Sequence, residues 1–279
     1  MKHIFFGTPE FAAIILEKLI KTGFIPVAVI TNPDRPLGRK KIITPPPIKQ
    51  LLKLNYLRDR EDSLVGILQP EKLEEVFIGQ LKHYGAEVGI LAAYGKIIPQ
   101  EVIDIFPKGI IVVHPSLLPK YRGATPIQNA ILAGEKETGA TLILMDEKVD
   151  HGKIISNSKL LISNDDNYET LSKKLAELSA DLLIKTLPDF LAGKIKLKPQ
   201  DHSQATYTKK FIAEDGFVDL EKNSPEVIWR KVRALNPEPG VYTFQDGRRM
   251  KILEADLVDG KLILKKVQFE GKKPQALPT

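Results

Sequence analysis

The chain has 279 residues, with 41 Lys and Arg against 35 Asp and Glu for a formal net charge of +6. The absence of cysteine excludes disulfides, thiolate metal sites and a cysteine nucleophile, and five scattered histidines offer no zinc constellation. No apolar run approaches the length of a membrane helix and the chain opens directly on a strand-like segment, so a metal-free, monomeric, cytoplasmic protein is expected, its basic excess leaving room for a polyanionic partner.

Residues 1–6 predict a strand and Gly7-Thr8-Pro9 a tight turn into a helix, with Thr8 as cap and Pro9 in the first helical position. Phe11, Ile15 and Leu19, with Leu16 beside them, form one apolar stripe. Residues 24–31 predict the next strand, so the chain opens strand–helix–strand, the start of an α/β doubly wound, mostly parallel sheet. The glycine spacing of a dinucleotide fingerprint is missing from the first turn, which excludes a nicotinamide dehydrogenase.

Residues 32–53 predict a long irregular loop, because Pro36 and Pro45–Pro47 disfavour regular structure. Every charged residue from Arg35 to Arg58 is basic. Such a run is either a solvated surface or a finger that grips a nucleic-acid backbone. A strand over 63–69, a helix over 71–83 and a strand over 88–92 follow. The last runs into the apolar loop AYGKIIP (93–99), which reads as a packed corner or as a slot for a flat heterocycle.

At 110–113 four β-branched residues predict a strand buried on both faces, ending at His114 and the loop PSLLPKYRG. A short helix (126–133), a strand (140–146) and an extended segment (154–162) come next. Between the last two lies MDEKVDHG, with Asp150 before His151-Gly152. A histidine and a carboxylate that follow two different strands can meet over the sheet, which would hold the imidazole in one tautomer and suit acyl transfer. Residues 165–191 predict the longest helix, with Leu171, Leu175, Leu178, Leu182 and Leu183 on one face, caps in the 164–166 cluster, and a stop or kink at Pro188. PQDHSQATYTKK (199–210) is polar and aperiodic and reads as linker. Beyond it come a helix (225–234) and strands at 241–244, 250–258 and 261–269, joined by Asp-Gly hairpin turns.

HPSLLPKYRGATPIQ (114–128) with VDHG (149–152) resembles the folate-dependent formyltransferases, and the likeness extends to FGTPEFA, PDRPLGRKK, QPEKL, AYGKIIP and ALNPEPG. These further segments resemble the tRNA-acting branch. The resemblance implies a Rossmann-like catalytic domain over 1–190, a linker over 191–210 and a trimmed oligonucleotide-binding (OB-like) β-barrel over 211–279. It implies formyl transfer from 10-formyltetrahydrofolate to the α-amine of initiator tRNA charged with methionine. His114 and Asp150 would be catalytic. Leu91, Tyr94, Gly95, Ile97, Ser116, Leu117, Leu118, Pro119 and Val149 would enclose the folate, and Arg39, Lys40, Lys41 and Arg122 would meet the tRNA. The family's asparagine, which donates a hydrogen bond to the formyl oxygen, falls on Val112, where no such donor exists. Loss of one such donor costs roughly 2.7–4 kcal/mol of transition-state stabilisation. A sugar-nucleotide N-formyltransferase, or a folate- and tRNA-binding homologue with impaired transfer, remain the alternatives.

Overall fold

A computed structural model describes residues 1–38, 40–55 and 65–278. Arg39 and residues 56–64 lie outside the described residues, and with them the first part of the strand expected over 63–69. The chain divides into two units, each described by itself.

The first unit comprises Met1–Arg122, Gly139–Leu160 and Lys173–Thr206. Its sheet has seven strands in the order Ile154–Leu161, Glu137–Leu144, Ile110–His114, Val88–Ala92, His3–Gly7, Ala28–Ile30 and Gly66–Leu68. The last five are parallel neighbours, and Glu137–Leu144 runs antiparallel to Ile110–His114, with Ile111 opposite Leu144 and His114 opposite Thr141. Helices at Glu10–Lys21 and Glu75–His83 follow the His3–Gly7 and Gly66–Leu68 strands, as βαβ winding requires. The stripe Phe11, Ile15, Leu16 and Leu19 is buried as its period predicts.

Two local expectations change. The Thr8 hydroxyl does not cap the Glu10–Lys21 helix; it donates to the Tyr94 carbonyl oxygen at 3.3 Å. Residues 32–53 are not an irregular loop. They form a hairpin, Arg35–Leu37 against Ile42–Thr44, and then a helix, Pro47–Asn55, that buries Ile48 and Leu52. Pro47 stands in the first turn of that helix, where a missing N–H costs nothing, so the prolines punctuate elements instead of preventing them.

The Tyr168–Leu191 helix buries Leu171, Leu175, Leu182 and Leu183 and runs on through Pro188 to Leu191. Its N-terminal amide at Thr170 is capped by the Asn167 side chain at 3.0 Å, one residue beyond the expected cluster. No helix among the described residues is long and apolar enough to cross a membrane.

The second unit gathers Gly123–Thr138, Leu161–Ser172 and Tyr207–Thr279. Its four-stranded antiparallel sheet is a meander, Val241–Gln245, Arg248–Val258, Lys261–Phe269 and Gln275–Ala276. Asp246-Gly247 and Asp259-Gly260 take positive φ at both positions of each turn, the geometry that Asp-Gly favours between twisted strands. Val241, Thr243, Met250, Ile252 and Val267 are buried, and the helix Pro225–Leu235, capped by Ser224, packs on this sheet. Gln275–Ala276 is one edge of the sheet, and beside the Val241–Gln245 strand at the other a parallel bridge pairs Phe217 with Tyr242.

Candidate active site

All five parallel strands deliver their carboxyl ends to one rim, and His114 closes the outermost of them, the one that borders the antiparallel Glu137–Leu144 strand. Its ring is 4% exposed. Nε2 lies 2.9 Å from the Tyr121 carbonyl oxygen, which can only accept, so Nε2 carries a hydrogen. Nδ1 faces Asp150 Oδ2 at 3.5 Å. Both ring nitrogens therefore look at acceptors. The hydrogen-bonded partner that sets the ring's orientation is a backbone carbonyl seven positions on, invisible to motif reading; Tyr121 holds φ at 62° to present it.

Asp150 reaches the histidine by an indirect route. Because Glu137–Leu144 is antiparallel, its end lies level with the start of Ile110–His114, where the Met145 amide donates to the Ile110 carbonyl at 2.8 Å. The following loop must return along the sheet to bring its carboxylate to His114. Asp150 pays for the sharp reversal with a left-handed φ of 48°, rare for a residue with a Cβ. At Gly152 an added Cβ would run into the Leu144 carbonyl oxygen, so only glycine fits there.

The Ser-Leu-Leu-Pro loop is fixed from below. The Thr141 hydroxyl donates to Ser116 O at 2.6 Å and accepts from Leu118 N at 3.2 Å, and Ser116 Oγ donates to Lys120 O at 2.7 Å. Ser116 is thus wholly occupied inside the loop. Leu118 packs with Val112 and Ile143, while half-buried Leu91, Met145 and Ile154 surround them. Val112 shares a strand face with His114, two residues away. The floor beside the imidazole is hydrocarbon where an amide would stand in the resembled family. Leu117 and Pro119 are half-buried, Gly95 is exposed, and Ile97 and Val149 present 88% and 61% of their surface.

Two of the expected contact residues have deeply buried side chains. The Tyr94 side chain is 1% exposed and packs edge-on against Phe6 at 5.7 Å, so it belongs to the core. It serves the rim through its carbonyl, which accepts from Thr8 and from Asn32 Nδ2 at 3.0 Å. Arg122 is 1% exposed. Its guanidinium donates to Gln200 Oε1 from Nε (3.2 Å) and Nη2 (2.6 Å), and Nη2 also donates to His202 Nδ1 at 2.9 Å. His202 stacks flat on His151 at 4.0 Å, and His151 Nδ1 lies 2.6 Å from Asp146 Oδ2. Desolvation, with His151 and Arg122 close by, holds the His202 pKa below its ordinary value.

Lys40 and Lys41 are exposed at the turn of the Arg35–Leu37/Ile42–Thr44 hairpin; Arg39 lies outside the described residues. The hairpin springs from the same rim as His114. Its base is held by Lys49 Nζ, which reaches Asp34 Oδ1 at 2.8 Å and Gln69 Oε1 at 2.5 Å, while Gln69 Nε2 donates to Asn32 O at 2.8 Å. Hydrogen bonds from Lys49 and Gln69 keep the Asp34 carboxyl pKa below the usual range.

Comparison with known proteins places the chain in a family. Residues 1–187 match the formyl transferase family and residues 210–262 its C-terminal domain. The methionyl-tRNA formyltransferase of Kosmotoga olearia is 40% identical over 98% of this chain and 93% of that protein. The solved methionyl-tRNA formyltransferase from Clostridium thermocellum superposes with a TM-score of 0.63 at 19% identity, covering 96% of this chain and 98% of that one. An N-formyltransferase from Helicobacter canadensis, solved with folinic acid and dTDP-3-aminofucose, gives 0.69 at 18% identity over 96% of this chain and 95% of that one. On both sequence and fold, this chain belongs to the formyl transferase family.

Proposed function

We propose that this chain is a methionyl-tRNA formyltransferase, moving a formyl group from 10-formyltetrahydrofolate to the α-amine of methionyl initiator tRNA. The observation that carries the reading is the 40% identity, end to end, with a protein of that name. The basic hairpin rising from the same rim as His114 supports it, because a small sugar nucleotide has no use for such a projection.

The rim suits a reduced folate. Leu91, Leu118, Ile97 and Val149 supply apolar surface, and buried Asn32 Oδ1, beside the 93–99 loop, is an acceptor with no partner among the described residues. An unpaired acceptor next to a greasy edge matches the donor-bearing edge of a pterin. When bound, the folate supplies the formyl carbon and the nitrogen that leaves it.

His114, held between the Tyr121 carbonyl and the Asp150 carboxylate, stabilises negative charge as it grows on the formyl oxygen and moves the proton released by the amine. Asp150 stabilises the imidazole while it is charged. Val112 contributes shape and no donor, so turnover falls below what an amide there would allow. Assays with charged initiator tRNA and with a dTDP-amino sugar, each with 10-formyltetrahydrofolate, decide the acceptor. Transfer to the tRNA, lost in His114→Ala, is expected. Transfer to the sugar alone would overturn the reading.

A further inference from the structure

We propose that Gln200 is a positioning residue for the reaction, a buried clamp joining the two loops that flank His114. The proposal rests on the transferase reading above and adds a residue to it.

Gln200 sits in the polar, aperiodic stretch that reads as linker, yet it is 5% exposed. Its amide nitrogen donates to the carbonyls of Asp150 at 3.0 Å and Gly152 at 2.7 Å. Its amide oxygen accepts from Arg122 Nε at 3.2 Å and Nη2 at 2.6 Å. Two hydrogens and two lone pairs are the full capacity of a carboxamide, and all four are used. The placement is specific. Arg122 follows Tyr121, whose carbonyl faces His114 Nε2, and Asp150 faces His114 Nδ1. One amide therefore holds the backbone of the residue opposite Nδ1 and the side chain next to the residue opposite Nε2.

The Asp150 loop needs such an anchor. It returns along the sheet from the wrong end of an antiparallel strand and carries a left-handed backbone at a non-glycine residue. Local preference does not favour that conformation. No isostere replaces the clamp: glutamate offers no hydrogen to the two carbonyls, and asparagine is a methylene too short to span the loops. With the amide gone, two carbonyls and a guanidinium lose partners in a buried place, the loop relaxes and the carboxylate leaves Nδ1. Misplacement of a catalytic group by about 1 Å costs on the order of 100-fold in rate.

The test is a double-mutant cycle on formyl transfer to charged initiator tRNA. Gln200→Ala and Gln200→Glu, the second keeping its pairing with Arg122 and so the fold, are each combined with Asp150→Asn. Thermal melting identifies which Gln200 variant is folded, and that one is read. Its kcat is expected to fall on the order of 100-fold with the KM for tRNA unchanged, and the double variant is expected to be no slower than Asp150→Asn alone. Losses that multiply would overturn the proposal, since Gln200 would then act independently of Asp150. So would a folded Gln200→Glu with normal kcat. Failure of the underlying reading looks different: the unaltered chain then transfers nothing to charged tRNA, and the clamp falls with it.

Discussion

Val112 is the residue at which stability and catalysis pull apart. In register between Leu91 and Ile143 and under Leu118, it completes an apolar cluster beside His114. Val112→Asn places a carboxamide two residues along the same strand face as the imidazole. Turnover is expected to rise by about a hundred- to a thousandfold, the worth of one oxyanion donor, while unfolding free energy falls by about 1–3 kcal/mol for a polar group set among hydrocarbon. Steady-state formylation and urea melts read the two effects. A folded variant with an unchanged rate would show that another donor already serves the formyl oxygen. His3 makes a second prediction at this scale. Neither ring nitrogen has a partner among the described residues, and burial, aided by the N-terminal ammonium, lowers its pKa from 6.5 to about 4. The unfolded chain takes a proton below pH 6.5 and the folded chain does not, so stability drains away as pH falls from 6.5 to about 4. The full loss is about 3 kcal/mol, at about 1.36 kcal/mol per pKa unit. His3→Leu is expected to remove that part of the pH dependence; identical pH slopes in the two proteins would rule it out.

Elements were legible in the sequence where composition left one choice. Val88–Ala92 and Ile110–His114 stand where their apolar runs predict them, because glycine and proline punctuate both and neither face meets water. Prolines misled at residues 32–53, since the same residue that breaks a helix interior also starts one. Sequence spacing located His114 and Asp150 but not the direction from which the aspartate arrives. That depends on one strand running antiparallel, a property of the sheet and not of the segment. Arg122 and Gln200 were illegible for a related reason: each is polar and unpatterned, and its burial depends on partners far away in the sequence, each other among them. The returning loop makes the element-scale prediction. Gly152→Ala drives a methyl into the Leu144 carbonyl and must push the loop off the sheet. Activity is expected to fall by on the order of 100-fold, with a smaller change in melting temperature, because the core strands are untouched. A fully active Gly152→Ala would mean that the Asp150 carboxylate can move without consequence.

At the scale of the molecule, the excess of positive charge matters through where it stands. A net charge of +6 on 279 residues is modest and would not by itself identify a partner. Lys40 and Lys41 stand exposed at the tip of a hairpin whose base is locked by Asp34, Lys49 and Gln69, so their charge is projected from the rim that carries His114. On the proposed reading, a rigid base with a basic tip would grip a phosphate backbone at a fixed distance from the reacting amine, each contact releasing condensed counterions. Replacing both lysines with alanine is expected to weaken tRNA binding and to lower the slope of log affinity against log salt by about 2, near one unit per lost phosphate contact. Turnover at saturating tRNA should be preserved while KM rises, because the lysines would hold substrate and transition state alike. An unchanged salt slope would return the hairpin tip to solvent, and a fall in turnover at saturation would place the lysines at the chemistry itself.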